Sequence, residues 1–155
     1  MRIPVFLSAI LLLNCCDDAR VYEKNYDFTH RQWLVNEKPS FEFTVAQEQS
    51  YNLYCNLRTS VDYPYSRIFI TYILNDQAGS EIKKEMIHTF LFDEKTGKPV
   101  GSSGLGDIYD QQILLLQDFT FKQPGTYTLQ FDQFMRTDTL PGVLAVGLRV
   151  ETSTK

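Results

Sequence analysis

The sequence predicts an all-β protein, a single-domain antiparallel β-sandwich of jelly-roll or immunoglobulin-like type with about seven or eight strands. Apolar and polar residues alternate with a period of two along most of the chain, which is typical of half-buried strands. Clusters of Asn, Asp, Gly and Pro separate these segments, as turns between short strands require. A helical period is nearly absent, and only residues 107–112 favour a short helical turn.

The strands are predicted in chain order from this alternation. Residues 41–45 alternate strictly, and residues 51–58 place Tyr51, Leu53, Cys55 and Leu57 on one face. Residues 67–74 are β-branched and aromatic almost throughout, which predicts a central strand buried on both faces. The remaining predicted strands cover residues 85–92, 113–117, 126–131 and 143–150.

The N-terminus has the features of an export signal. A positive Met1-Arg2 precedes an apolar run of eleven residues, 3–13. In a helix this run spans roughly 16 Å, too short to cross a bilayer but as long as a signal-peptide core. It ends in Leu12-Leu13-Asn14-Cys15-Cys16, which resembles the lipobox of bacterial lipoproteins. There the cysteine thiol receives a diacylglycerol, the signal is cleaved, and the new N-terminus is acylated with a fatty acid such as palmitate.

Two cysteines compete for this lipid. Cys16 is favoured because Leu13 lies three residues before it, a small residue directly precedes it, and a polar Asp17-Asp18 follows at once; Cys15 is the alternative. We therefore predict a lipoprotein signal peptide at 1–15, an N-terminal tether or first strand at 16–30, and the β-sandwich domain at 31–155. Two or three acyl chains, at ~0.8 kcal/mol per buried methylene, would hold the protein on a membrane.

Charge and composition narrow the classes of function. The chain of 155 residues has a net charge of −4, so the basic surface that nucleic-acid binding needs is missing. The two histidines, His30 and His88, are far apart in sequence, and the glycine-rich segment 100–107 lacks the lysine of a phosphate-binding loop. We therefore predict no enzyme activity, no metal site and no cofactor. Cys55, the third cysteine, has no partner for an internal disulfide and is predicted to be buried.

A protein-binding surface is the best candidate for a functional site. Tyr, Met and Arg are enriched at protein interfaces, and the residues chosen on this basis are Arg58, Tyr63, Tyr65, Met135 and Arg136. The competing interpretation is a loop corner held by ion pairs, in which Arg58, Arg136 or Arg149 would bind Asp62, Asp132 or Asp138.

Several short motifs, taken in order, resemble one family. They are Arg20-Val21-Tyr22, a lone Trp33, Asn56-Leu57-Arg58, Tyr63-Pro64-Tyr65, Gly104-Leu105-Gly106-Asp107-Ile108-Tyr109, Gln133-Phe134-Met135-Arg136, Leu140-Pro141-Gly142 and Val146-Gly147-Leu148. In this order and spacing they resemble the gliding-motility lipoprotein H (GldH) family of the Bacteroidetes, over nearly the whole mature chain.

The resemblance implies a small, non-enzymatic lipoprotein of the cell envelope. It implies an outer-membrane location, on the periplasmic or surface side, with the inner membrane as the other option. The implied partners are the membrane, through the N-terminal lipid, and other envelope proteins of the motility apparatus and its linked secretion machinery. The alternative hypothesis is a carbohydrate-binding surface lipoprotein, in which an exposed Trp33 and the Tyr63 and Tyr65 pair would stack on sugars.

Replacing each cysteine of the pair tests the predicted anchor. Cys16→Ala should abolish acylation and release the protein from the membrane, because the thiol that receives the diacylglycerol is lost. Cys15→Ala should leave acylation intact. Metabolic labelling with an alkyne fatty acid measures both variants. Label retained in Cys16→Ala and lost in Cys15→Ala would move the acylated position to Cys15.

Overall fold

The computed structural model describes residues 19–153, and its secondary structure is almost entirely strand. The predicted signal peptide and the candidate acylation sites Cys15 and Cys16 lie outside the described residues. One 3-10 turn is present at Thr29–Arg31. The strands are β1 Arg20–Asp27, β2 Gln32–Leu34, β3 Ser40–Val45, β4 Ser50–Ser60, β5 Arg67–Asn75, β6 Glu81–Phe90, β7 Ser102–Ser103, β8 Ile108–Thr120, β9 Gly125–Gln133, β10 Thr139–Pro141 and β11 Val143–Thr152. No helix in this part of the chain has the length and apolar character needed to span a membrane.

Two antiparallel sheets form the sandwich. The five-stranded sheet has the order β1-β11-β4-β8-β7, and the four-stranded sheet has the order β3-β9-β5-β6. A separate pair, β10 with β2, lies beside β11 and the 3-10 turn. Alternation drives this packing, because every second residue of β3, β4 and β9 is buried. The shared core includes Leu53, Leu57, Ile70, Leu129 and Leu148.

The predicted fold class is confirmed, with differences in detail. Eleven strands are present in the described residues, because β1 and the short strands β2, β7 and β10 add to those predicted. Residues 107–112 form no helical turn, since β8 begins at Ile108 and pairs there with Ser60. Strand β5 is central but fully buried on one face only: Phe69 and Ile73 lie half-exposed on the outer face. Because apolar or β-branched residues occupy nearly every position of β5, the sequence pattern does not distinguish its buried face from its outer face.

The directions of the strands place each connecting loop at one of the two ends of the sandwich. Strand β1 starts at Arg20, opposite Glu151 of β11, and the loops 46–49, 76–80 and 121–124 lie at this same end, which we call the proximal end. The opposite end, which we call the distal end, contains residues 28–39, 61–66, 91–107 and 134–142. The tyrosine segment 63–65 and the Met135-Arg136 segment therefore share the distal end.

Cys55 lies in the middle of β4, on the core face. Its side chain is 0% exposed, as the alternation predicted, and it forms no disulfide. The Cys55 thiol donates a long hydrogen bond of 3.9 Å to the backbone oxygen of Asn56. Burial raises the pKa of the Cys55 thiol, because the thiolate would lose its hydration in the core.

Cys55 should consequently be chemically inert. The native protein should not react with a thiol reagent until it unfolds, and Cys55→Ala should lower the free energy of unfolding by about 1–2 kcal/mol, as an ordinary core truncation does. Thiol titration and urea denaturation measure the two effects. Rapid labelling of the native protein would show that this face of β4 is solvent-accessible.

Candidate binding surface at the distal end

The loops 61–66 and 134–142 are joined by a close contact between Tyr63 and Gly142. Gly142 has φ +78°, and a Cβ at this position would lie 2.5 Å from the backbone nitrogen of Tyr63. The amide of Gly142 donates to the carbonyl oxygen of Arg31 at 2.9 Å, and its own carbonyl accepts from the amide of Ser60 at 2.9 Å. Only glycine satisfies both the left-handed backbone and the available space here.

Tyr63 lies beneath the distal surface, not on it. Its side chain is 3% exposed, and its hydroxyl donates to the carbonyl oxygen of Arg67 at 3.0 Å. Burial raises the pKa of the Tyr63 phenol. The ring meets Tyr65 edge-on, with 5.8 Å between centroids. Tyr63 therefore supports the exposed Tyr65 and is not itself available to a partner, which corrects its predicted place on the surface.

An apolar depression opens beside Tyr65 on the outer face of the four-stranded sheet. It has a volume of about 450 Å³, and we call it the distal hollow; its lining residues are Tyr65, Phe69, Met86, Phe134, Met135 and Arg136. Phe134 is 63% exposed, an unusually open position for a phenylalanine. Three of the predicted residues, Tyr65, Met135 and Arg136, thus meet at one site.

The backbone around Met135 is fixed by hydrogen bonds. The amide of Met135 donates to the side-chain oxygen of Gln133 at 2.8 Å, and the amide of Phe69 donates to the Met135 sulfur at 3.5 Å. The amide of Phe134 also donates to the carbonyl oxygen of Phe69 at 2.9 Å. The segment that carries Phe134, Met135 and Arg136 is therefore an ordered extension of β9.

The arginines do not form the ion pairs that the sequence suggested. Arg58 binds Asp110 through two hydrogen bonds of 2.8 and 3.2 Å. Arg149 binds Glu23 and Glu151, and Lys38, not an arginine, binds Asp132. Arg136 is exposed, and no carboxylate within residues 19–153 forms an ion pair with it. The interpretation of Arg136 as a buried corner residue is therefore wrong.

Arg58 lies away from the distal hollow, on the outer face of the five-stranded sheet. It lines a polar groove of about 270 Å³ together with Glu23, Asn56, Asp110 and Gln112. These side chains bind each other, with Asn56 donating to Glu23 at 2.9 Å and Gln112 donating to Asn56 at 3.1 Å. Arg58 therefore belongs to a different surface from Tyr65, Met135 and Arg136.

Trp33, predicted to be exposed, is fully buried. Its ring stacks on Phe28 at 4.9 Å between centroids, and its indole nitrogen donates to the carbonyl oxygen of Glu37 at 2.9 Å. With Tyr63 buried as well, and its ring inclined 75° to that of Tyr65, these three aromatics form no flat exposed platform. The carbohydrate-binding alternative thereby loses the residues on which it depended.

The polar groups of the distal end serve mainly local structure. Asp93 accepts hydrogen bonds from Thr96 and Lys95 within its own turn, and Glu94 binds Arg67 at 3.0 Å. Among the residues that the structure describes, no three His, Cys, Asp or Glu side chains gather as a metal site would require. His88 lies exposed on β6 against Phe69, at 5.5 Å between ring centroids.

Exposed apolar side chains are concentrated at the distal end. Seven of the twelve exposed large apolar residues of the described chain lie at this end: Leu34, Val35, Val61, Tyr65, Val100, Leu105 (91% exposed) and Phe134. The other five lie within longer strands: Val21 and Tyr26 on β1, Ile82 and Met86 on β6, and Leu114 on β8. The proximal loops 46–49, 76–80 and 121–124 contribute no large exposed apolar residue. Clustered exposed apolar residues mark interaction surfaces in globular proteins.

The fold defines the class of the protein as a small all-β protein. The family model described as "GldH lipoprotein" matches residues 20–150, and the chain belongs to this family. It is therefore a gliding-motility lipoprotein, anchored by lipid in the cell envelope.

Two relatives match over nearly their whole length. The "Gliding motility lipoprotein GldH homolog" of Christiangramia forsetii is 27% identical, over 96% of this chain and 94% of the relative. The "Gliding motility lipoprotein GldH" of Flavobacterium johnsoniae is 26% identical, over 95% of this chain and 94% of the relative. A solved structure of the infectious bursal disease virus Gx strain is 15% identical, with a TM-score of 0.44, covering 97% of this chain and 37% of that chain. A score this low supports no functional argument.

Two glycine variants test the contact that joins the distal loops. Gly142→Ala should lower the free energy of unfolding by about 3 kcal/mol, because the methyl group adds overlap with Tyr63 to the strain of a left-handed backbone. Gly106→Ala is the matched control, since Gly106 has φ +67° with nothing within 4 Å of an added Cβ. It should cost about 1 kcal/mol. Equal losses in urea denaturation would show that the Tyr63 contact adds nothing beyond backbone strain.

Proposed function

We propose that this gliding-motility lipoprotein is a structural or assembly component of the motility apparatus and of the secretion machinery linked to it. It acts without catalysis, by holding another envelope protein at its distal end. The observation that carries the proposal is the distal hollow, an ordered apolar depression edged by the exposed Tyr65, Phe134 and Arg136.

The position of the lipid supports this arrangement. Strand β1 begins four residues after Cys16, the proposed acylation site, and four residues reach at most about 14 Å. The proximal end is therefore held close to the lipid surface. Strand β1 then runs eight residues toward the distal end, a length of about 27 Å. The distal end thus faces away from the membrane that carries the anchor.

The chemistry of the two ends agrees with these positions. The proximal loops carry polar residues such as Gln47, Glu48, Gln77 and Lys122, which suit a hydrated gap above lipid headgroups. The distal end carries seven of the twelve exposed large apolar residues of the described chain, and covering them with a partner is energetically favourable. A membrane anchor at one end and a protein contact at the other are what an assembly component needs.

Site-specific photo-cross-linking in intact cells tests this proposal. A photoreactive amino acid at Phe134 should give a discrete cross-linked band with another envelope protein, because Phe134 lies at the centre of the proposed contact. The matched control is Leu114, which is 45% exposed on the outer face of the five-stranded sheet. Leu114 should give no such band.

Comparing cross-linking at Phe134 and at Leu114 shows which results would contradict the proposal. Cross-linking at Leu114 but not at Phe134 would place the partner on the five-stranded sheet and contradict the proposal. Equal cross-linking at both positions would indicate non-specific crowding, and it would contradict a distal docking site as well.

A further inference from the structure

We propose that the distal hollow recognises a partner segment in which an apolar side chain stands next to a carboxylate. The apolar side chain enters the hollow, and the carboxylate binds the Arg136 guanidinium. This inference rests on the proposed assembly function, and it adds the chemistry of the partner to it.

The apolar lining of the hollow supports the proposed binding of an apolar side chain. Five of its six side chains, those of Tyr65, Phe69, Met86, Phe134 and Met135, are aromatic or thioether groups. Aromatic walls give a large contact area at low cost in side-chain entropy, and methionines adapt to the shape of what they contact. A segment that inserts one large apolar side chain would therefore gain most from this site.

Arg136 supports the proposed binding of a carboxylate. It is the only charged residue that lines the hollow, and no carboxylate of the described chain occupies it. Asp132, on the adjacent strand β9, already binds Lys38 at 3.1 Å and Gln130 at 2.8 Å. An arginine fork binds a carboxylate through two parallel hydrogen bonds, which fixes the orientation of the bound segment.

Two further basic residues lie on the face that carries the hollow, and one of them is already paired with an acid. Arg67 and His88 lie on the same outer face, because Arg67 pairs with Phe90 and Phe69 pairs with His88. The Arg67 guanidinium lies 4.4 Å from the centre of the Phe90 ring and binds Glu94. Since none of the residues that line the hollow is acidic, a basic side chain entering it would be repelled by Arg136.

The hollow is formed before any partner arrives. Met135 accepts a hydrogen bond from the Phe69 amide at its sulfur and donates one from its own amide to the Gln133 side chain. The Phe134 amide donates to the Phe69 carbonyl oxygen, which extends the backbone pairing of β9 with β5. A preformed site loses little conformational entropy on binding, so short segments can bind measurably. By contrast, the polar groups around Arg58 are bound to each other, and a ligand there would have to break those hydrogen bonds.

Selection from a phage library of random short peptides tests the inference. The bait is the acylated full-length protein in lipid nanodiscs. Wild-type protein should enrich peptides with an aromatic or long aliphatic residue beside Asp or Glu. Arg136→Glu should switch the enriched charge to Lys or Arg, because the guanidinium is replaced by a carboxylate. Lys122→Glu is the matched control at the proximal end, and it should select the same peptides as wild type.

A synthetic copy of the most enriched peptide gives the quantitative test. Arg136→Gln should weaken its binding about tenfold, the loss expected for charge-assisted hydrogen bonds. Met86→Glu should weaken it as well, because it removes an apolar wall of the hollow and places a negative charge near the bound carboxylate. Thermal melting of each variant checks that the fold is intact.

Three outcomes would overturn the inference: no enrichment, an enriched motif without acidic residues, or a motif unchanged by Arg136→Glu. If cross-linking at Phe134 persists in these cases, the distal docking proposal stands and only the partner chemistry is wrong. Loss of both results would refute the two proposals together.

Discussion

The packing of Gly142 on Tyr63 is the contact on which the distal end depends. It connects a loop between the two sheets with the segment that follows β9, and it leaves no room for a side chain at Gly142. Tyr63 then fixes both neighbours, since its hydroxyl binds the start of β5 and its ring supports Tyr65. The amide of the same glycine donates a hydrogen bond to the carbonyl oxygen of Arg31, which ties the 3-10 turn to this contact. Gly142 thus acts through Tyr63 on the Tyr65 wall of the hollow, whereas Phe134 and Met135 are held by hydrogen bonds with Phe69 and Gln133.

The sandwich gives this surface a direction. Strands that run the full height of the domain separate the end near the lipid anchor from the end that carries exposed apolar residues. The core needs no disulfide or metal among the described residues to hold that arrangement, because alternating strands supply two apolar faces that cover each other. In the proposed arrangement, a domain attached by its proximal end presents the partner site away from the membrane.

Much of the fold follows from local pattern, and the site does not. Period-two alternation located β3, β4 and β9 and placed Cys55 on the core face, because burial in a strand repeats every second residue. Tyr63 is expected at the surface, yet it is buried against Gly142, which is distant in sequence. Trp33 is also expected at the surface, yet it lies on β2, which pairs with the distant β10, and is buried against Phe28; no local pattern reveals either arrangement. The sequence does not show that Phe69 lines the hollow, because nearly every residue of β5 is apolar or β-branched. It does not show this for Met86 either, because the alternation in β6 does not tell which face is exposed. Phe134 stood within the motif that contained Met135 and Arg136, so the motif itself was the available signal. The pairing of Arg58 with Asp110 depends on the register of β4 and β8, which sequence alone does not set.

The central claim is that the distal hollow is covered by protein in the native envelope. Carbene footprinting of isolated envelopes, compared with the same protein after purification in detergent, measures this directly at single residues. The account predicts that labelling of Phe134, Tyr65 and Met86 is strongly reduced in the envelope, while labelling of Leu114 is the same in both samples. Equal labelling of the three hollow residues in both samples, or protection at Leu114 alone, would contradict it.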